Sequence, residues 1–491
     1  MLRPMATERW NFTTAAHLLN RAGFGGPPSE IDELVKLGLE AAVAKYVDYE
    51  KTPDDWENPE WAKPDPTRQE RLMEARKADE QTRRNLFQEQ QRSQRQRIVE
   101  LKGWWLRRMA EGSRPLQEKM TLFWHGHFAT SMEKVRDAYL MWRQNDLFRK
   151  QATGNWLKLL VAVAQDPAML IWLDQAQSRK AHPNENFARE VMELFTLGEG
   201  HYTEKDVTEA ARALTGWSYD RINQEFVERP RIHDDGEKTF LGRTGDLDGN
   251  DVLEQIVAQP QAAHFISAKL WNFFAGVQPS DELVTALAAV FRESGNNFKP
   301  LLTAMFRCEE FYSDAIVRNQ VKSPVQWLVG SVRTLERNMP PPFVCFGLTR
   351  NLGQDLFQPP NVKGWDGGLS WITTNNLLAR YNEAALLVQG DPSALRGMAM
   401  GPNAAGNMQL QNRLADVRLR TVDVFKIFSE EERADKNKLV AALEKRLLQG
   451  KLSPAQEKTL CDYLDEQTEL DSPAIRNAIR LMMSTPEYQL T

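Results

Sequence analysis

Apolar residues recur along most of this chain at the three- and four-residue intervals of helices packed on a core, and strict alternation is confined to one short stretch. AAHLLNRAGFG (15–25) closes on glycines able to cap a helix, and SEIDELVKLGLEAAVAKYV starts from Ser29 as an N-cap and repeats the helical spacing. After a Pro-, Trp- and Asp-rich segment at 51–67, residues 68–97 carry nine basic and five acidic side chains with few apolar anchors, the pattern of one long exposed helix. From 98 to 217 the core pattern is continuous. Its most apolar run, WLKLLVAVAQDPAMLIWL (156–173), is broken by Asp166-Pro167 and carries Lys158, which predicts two core helices and no membrane span. Thr203 with Asp206 predicts a capping-box start for the helix EKDVTEAARALTG, and Gly216 predicts its stop.

The one alternating stretch, QEFVERPRIHDDGEKTFLG (224–242), predicts a small β-hairpin near 225–242 around its DDG turn. DLDGND (246–251) lacks the glycine position and the distal Glu of a calcium loop, so it reads as an ordinary loop and N-cap. Helices resume over 251–338. The Gly/Pro-rich segment LGQDLFQPPNVKGWDGGLSW (352–371) cannot be helical throughout, residues 397–408 read as a flexible loop, and the rest reads as three amphipathic helices. The expected fold class is mainly α: a multi-helical globular protein with one small β-hairpin insertion. Its expected segments are 1–50, a connector and polar helix at 51–97, a central core at 98–217, the insertion at 218–250, and helical blocks at 251–392 and 393–491.

Composition narrows the function classes. With 491 residues, two to four lobes are expected; 42% apolar and 26% charged residues are ordinary for a globular chain, and a net charge of −5 gives no reason to expect nucleic acid. Cys308, Cys345 and Cys461 are too widely spaced for a disulfide framework or a CxxC metal site and are expected to be free, buried thiols. The first residues contain no apolar run ending in small residues, which predicts a soluble cytoplasmic protein, with export beside a signal-bearing partner as the alternative. Serine-hydrolase, P-loop, zincin and dinucleotide motifs are missing from suitable contexts.

Candidate chemistry concentrates in three segments. On the helix NENFAREVMELFTLG (184–198), Ala188, Val191 and Phe195 form one face, while Asn186, Arg189, Glu190 and Glu193 fall within about 100° on the other. That polar face is either a solvent surface laced by Glu185–Arg189 and Arg189–Glu193 pairs or the wall of a site. In TLFWHGHFATS (121–131), His125 and His127 would stand about 200° apart on a continuous helix, but would share a side if the chain leaves helical geometry at Gly126. Shared ligation of a divalent metal ion needs the second geometry and at least one further ligand. The alternative is a packing role for one ring and a surface position for the other. His233-Asp234, in the DDG stretch, is a weaker base or ligand pair.

HLLNRAGFG, FWHGHF, NENFAREVMELFTLG, YTEKDVTEAARALTGW, HDDGEKTFLG, AAHFISAKLWNFF and PPNVKGWDGG, in this order, resemble the signature blocks of a large bacterial family, domain of unknown function 1800. The resemblance spans nearly the whole chain. It implies a shared polar site drawn from FWHGHF, the NEN helix, HDDG and KGWDGG: Glu190, Glu193, Arg189 and Asp234 as catalytic candidates, Asn184, Glu185, Asn186, Lys238, Lys363 and Trp365 as ligand contacts, and His125, His127 and His233 as metal ligands. Members are often exported and accompanied by a second protein similar to the sulfatase and alkaline-phosphatase superfamily. Two readings follow: an enzyme, metal-dependent and hydrolytic, or a non-catalytic helical scaffold or maturation partner of the phosphatase-like protein.

Overall fold

The computed structural model describes residues 2–391 and 419–491; the loop expected at 397–408 lies outside them. Among the described residues helices dominate, and the only strands lie between Trp217 and Gly245; elsewhere there are isolated bridges. The polar stretch at 68–97 forms two helices where one was expected, Arg68–Lys77 and Glu80–Glu111, because Asp79 turns its carboxylate onto the backbone N–H of Thr82 at 3.0 Å and starts a new helix. The second runs through Arg97 into the core, exposed over its first half and burying Ile98, Leu101 and Trp105 thereafter. The apolar run at 156–173 divides as expected into Trp156–Ala164 and Pro167–Trp172, with Asp166 capping the second through Met169 N–H at 3.2 Å. Among the described residues no helix is long and apolar enough to cross a membrane.

The insertion holds two short antiparallel pairs: β1 (Trp217–Tyr219) with β2 (Phe226–Glu228), and β3 (Lys238–Phe240) with β4 (Arg243–Gly245). The DDG turn lies between the pairs and does not join two strands. Pro230 opens a short 3-10 turn after β2, and Asp234 folds back on Gly236 N–H at 3.0 Å, so the chain bends there without a partner strand. The tight turn of the second pair is Leu241-Gly242, both at positive φ. Asp248 caps the helix Gly249–Ala258 in a capping box with Asp251, the loop-and-cap role expected of DLDGND.

Two buried clusters form the interior. One gathers Leu18, Ile31, Trp124, Phe128, Trp156, Phe195 and Trp271; the other gathers Trp105, Leu140, Trp327, Leu348, Leu386, Leu443 and Ile479. The helix Pro115–His127 serves both, giving Met120, Phe123 and Trp124 to the first and Leu122 to the second. Full burial of a side chain as large as Trp124 contributes roughly 2–3 kcal/mol, so this helix is strongly held on either side. Its one buried carboxylate, Glu118, accepts from Arg108 Nε at 2.6 Å, Arg149 Nε at 2.6 Å and Nη2 at 3.0 Å, and Trp105 Nε1 at 2.8 Å. Cys308 and Cys345 are buried and Cys461 half-buried; all three are free thiols.

Candidate functional site

The NEN segment begins as an ordinary helix and ends as a π turn. Asn184 caps Glu185–Glu190 by accepting from Phe187 N–H at 3.3 Å, while its amide donates to Leu173 O at 2.7 Å. Val191–Thr196 then widens into π geometry, closed by Leu197 N–H on Met192 O at 2.7 Å. The carbonyls at this helix end point away from the next turn and need other donors. Lys269 Nζ reaches Leu194 O at 2.9 Å, His127 Nε2 reaches Phe195 O at 3.0 Å, and Gln261 Nε2 reaches Leu197 O at 3.0 Å. A cation at a helix C-terminus is also favoured by the helix dipole.

This assigns His127. A carbonyl can only accept, so Nε2 carries the proton, and Nδ1 faces Lys269 Nζ at 3.4 Å. The ring stacks on Phe123, with Phe128 edge-on. Burial, then the Lys269 charge, hold the imidazole far below its ordinary pKa. His125 leaves the same helix in another direction: its Nε2 accepts from Phe357 N–H at 3.0 Å, between the rings of Trp105 and Phe357 and against Trp365. Burial and Lys102 bring its pKa down to about 3.

Shared ligation of a metal by His125 and His127 is therefore overturned. The helix does not break at Gly126; it continues to His127, and Phe128 N–H still bonds Trp124 O at 2.8 Å. Both imidazoles are packed, and neither is the surface residue of the alternative reading. His233 is elsewhere, with Nδ1 2.8 Å from Thr215 O. Among the described residues, no three His, Cys, Asp or Glu side chains stand together as a metal ion would require.

Three buried imidazoles held neutral, His125, His127 and likewise His17, make a pH prediction. A group whose folded pKa lies below its unfolded value contributes stability that is complete above the unfolded pKa, near 6.5, and is lost as pH falls toward the folded value. Urea melts should lose about 1.4 kcal/mol per pH unit for each such imidazole below pH 6.5. Chelation by EDTA should leave the melts unmoved at any pH; an EDTA-sensitive midpoint would restore a structural metal.

Gly126 has another use. Gly364, at φ +83°, lies so close that a Cβ on it would stand 2.3 Å from Gly126 O, while a Cβ on Gly126 itself would meet nothing within 4 Å. The KGWDGG turn thus rests backbone to backbone on the HGH helix, with Trp365 on His125. Lys363, exposed on that turn, lies near enough to act on Glu190. Burial and Glu193 push the Glu190 carboxyl above its ordinary pKa, and Lys363 and Arg189 only partly oppose them. Glu190 is half-buried and, among the described residues, accepts no hydrogen bond. Glu193 accepts from Tyr202 OH at 2.8 Å, and burial with that contact raises the phenol to about 12.

The remaining candidates are engaged in structural contacts or stand apart. Arg189 forms neither of the pairs expected along its own helix; it grips Glu204 with two bonds of 2.7 Å, which raise its pKa further. Glu185 accepts from Thr208 Oγ1 at 3.0 Å, and Asn186 is exposed. Asp234 is fixed by Arg212 at 2.8 and 3.2 Å, and Lys238 is buried with no hydrogen bond, its nearest carboxylate Asp246 at 3.7 Å. HDDG is fastened to the helix Glu204–Ala213 through Arg212. FWHGHF, the NEN helix and KGWDGG come together at Phe195, Gly126 and Glu190.

The model of a family described as "Protein of unknown function (DUF1800)" matches residues 17–490. The chain belongs to this family. Every contact described above in this DUF1800 protein falls within the matched span, which also takes in part of the first core helix, Phe12–Ala22. No curated protein and no solved structure matches the chain. Lys269 and Tyr202 were missed as members of the site; each stands in a block that resembles the family, but what it bonds lies 75 and nine positions away.

Proposed function

We propose that this DUF1800 protein is an enzyme that works by general acid–base chemistry, with Glu190 as the group that gives and takes the proton. The observation that carries the reading is a half-buried carboxyl without a hydrogen-bond donor, its pKa raised, at the meeting point of the HGH helix, the π turn and the KGWDGG turn. A carboxyl tuned upward exchanges a proton nearer neutrality than an ordinary one. Glu193, steadied by Tyr202, and the exposed Lys363 would orient a polar substrate through opposite charges. A divalent ion is not needed for this, and the histidines expected to hold one are spent on packing and backbone bonds.

Glu190→Gln tests it. Purified protein would be assayed against chromogenic esters, glycosides and phosphates; turnover of one class should fall about 100-fold or more in the variant, with an unchanged melting temperature. Turnover that survives Glu190→Gln, or none in the wild type, rejects the reading.

A second reading has its own support. Leu378, 62% exposed, stands with Leu377 and Tyr381, partly open, on the helix Thr374–Gln389, and Leu369, 81% exposed, is on the turn Gly368–Trp371 that precedes it. Apolar side chains grouped at one surface suit a non-catalytic partner, such as a maturation partner for the phosphatase-like protein that family resemblance brings to mind. Leu378→Glu should abolish co-purification with that protein in the scaffold reading and leave turnover intact in the enzyme reading.

A further inference from the structure

Far from Glu190, the chain's last residues close over a cavity of 20 Å³ bounded by Asn20, Arg318, Lys322, Gln326, Gln449 and Thr491. That is room for about one body the size of a water molecule. Two cations on its wall lack an acceptor. Lys322 lays its ammonium on the face of Tyr488 at 3.9 Å, and among the described residues that ammonium makes no hydrogen bond. Arg318, held at φ +59°, lies flat on Gly450, where a Cβ would be 1.9 Å from its Nη1, and it too makes no hydrogen bond among the described residues.

The surroundings add positive charge. Lys119, buried behind the wall, donates to Gln326 Oε1 and to Asn20 O; Arg21 reaches Phe274 O, Ile316 O, Asn319 Oδ1 and Thr491 O; Arg380 takes Gln489 Oε1 at 3.0 Å and Lys322 O at 2.7 Å. Acidic side chains are scarce. Glu487 acts on Arg318 without an ion pair to it among the described residues, and Glu383, beside Arg380, is pushed by burial far toward its protonated form. The wall's amide oxygens are also in use, Gln326 Oε1 by Lys119 and Gln449 Oε1 by Asn20 Nδ2 at 2.6 Å. Burial, with Arg380 and Arg318 nearby, draws Lys322 down to about 7. Lys322 and Arg318 are half-buried, and cations gathered at one cavity repel one another, which an anion in the space they face relieves.

We propose that this cavity binds one small inorganic anion of chloride size, held between Lys322 and Arg318, which stabilises the closure of the C-terminal residues on the first core helix. Its size excludes gluconate, so chloride can be titrated against gluconate at constant ionic strength while the melting temperature of the full chain is followed. The melting temperature should rise by several degrees and saturate. Lys322→Met should melt higher than wild type in gluconate, because one of the mutually repelling cations is gone, and should no longer respond to chloride. Arg318→Gln, at the half-buried wall, should keep the response with half-saturation moved about tenfold upward. A bromide-soaked crystal should carry an anomalous peak between the two side chains. The proposal is overturned if wild type ignores chloride, if the rise never saturates and is equal in Lys322→Met, or if sulfate saturates at lower concentration than chloride. It is also overturned if extending the chain past Thr491 lowers the melting temperature in gluconate while chloride has no effect, since the counter-charge would then be the carboxylate of that residue.

Discussion

Replacing Glu118 by glutamine should lower the free energy of unfolding by about 3–5 kcal/mol, the largest loss expected of any conservative change in this chain. The carboxylate is buried and takes four hydrogen bonds, three from Arg108 and Arg149 and one from Trp105. Burial alone would raise its pKa, but the two guanidiniums outweigh it and hold the group below the ordinary carboxylate range. Glutamine keeps the shape and removes the charge, leaving two buried guanidiniums with only Asp54 and Asn145 to share. The folded pKa is depressed, so the contribution is complete above the unfolded value near 4.3 and is lost only as pH falls below it. Urea unfolding at pH 7, read by tryptophan fluorescence, measures the effect. A loss under about 1 kcal/mol would mean that water reaches the cluster and screens it.

Gly364→Ala and Gly126→Ala should shift stability in opposite directions, although the two glycines touch. At Gly364 a left-handed φ costs alanine about 1–2 kcal/mol, and the new methyl would collide with a backbone oxygen that cannot swing aside, so the loss should exceed 2 kcal/mol or the KGWDGG turn should lift off. At Gly126 the methyl enters open space within a helix, and alanine should add about 0.5–1 kcal/mol. Paired thermal melts check both signs. If Gly126→Ala destabilises the protein, the helix is not regular at that position.

The contrast between these glycines shows what local pattern conveys and what it leaves out. Caps and periodicity marked helices wherever their partners lie within a few residues: Asp166, Thr203 and Asp248 start helices as their spacing predicts. Gly126 looked like a place for the helix to end because glycine weakens helices, but its neighbours on either side are buried deeply enough to carry the helix to His127. The oxygen in this contact is that of Gly126, and the glycine it requires, Gly364, lies in a turn about 240 positions later, so that no short window of sequence contains both. Arg189 fails locally for the same reason: its stronger partner, Glu204, arrives from the following helix as a bidentate acceptor. Asn184, taken as a ligand contact, is first of all the cap of its own helix. The polar helix face was legible; that HDDG would be anchored by Arg212 was not, since it depends on how a helix and a turn pack.

Arg21 also sets a timetable. It sits in the first core helix and its guanidinium bonds Thr491 O, 470 positions later, as well as Ile316 O and Phe274 O. At a synthesis rate of about 5–20 residues per second, roughly half a minute to a minute and a half separates the appearance of the arginine from that of its last acceptor. During that interval the helix can fold but cannot close, and a guanidinium meant for the interior has to remain in water. A growing chain of this protein therefore keeps part of its first buried cluster open until the residues that accept from Arg21 have emerged.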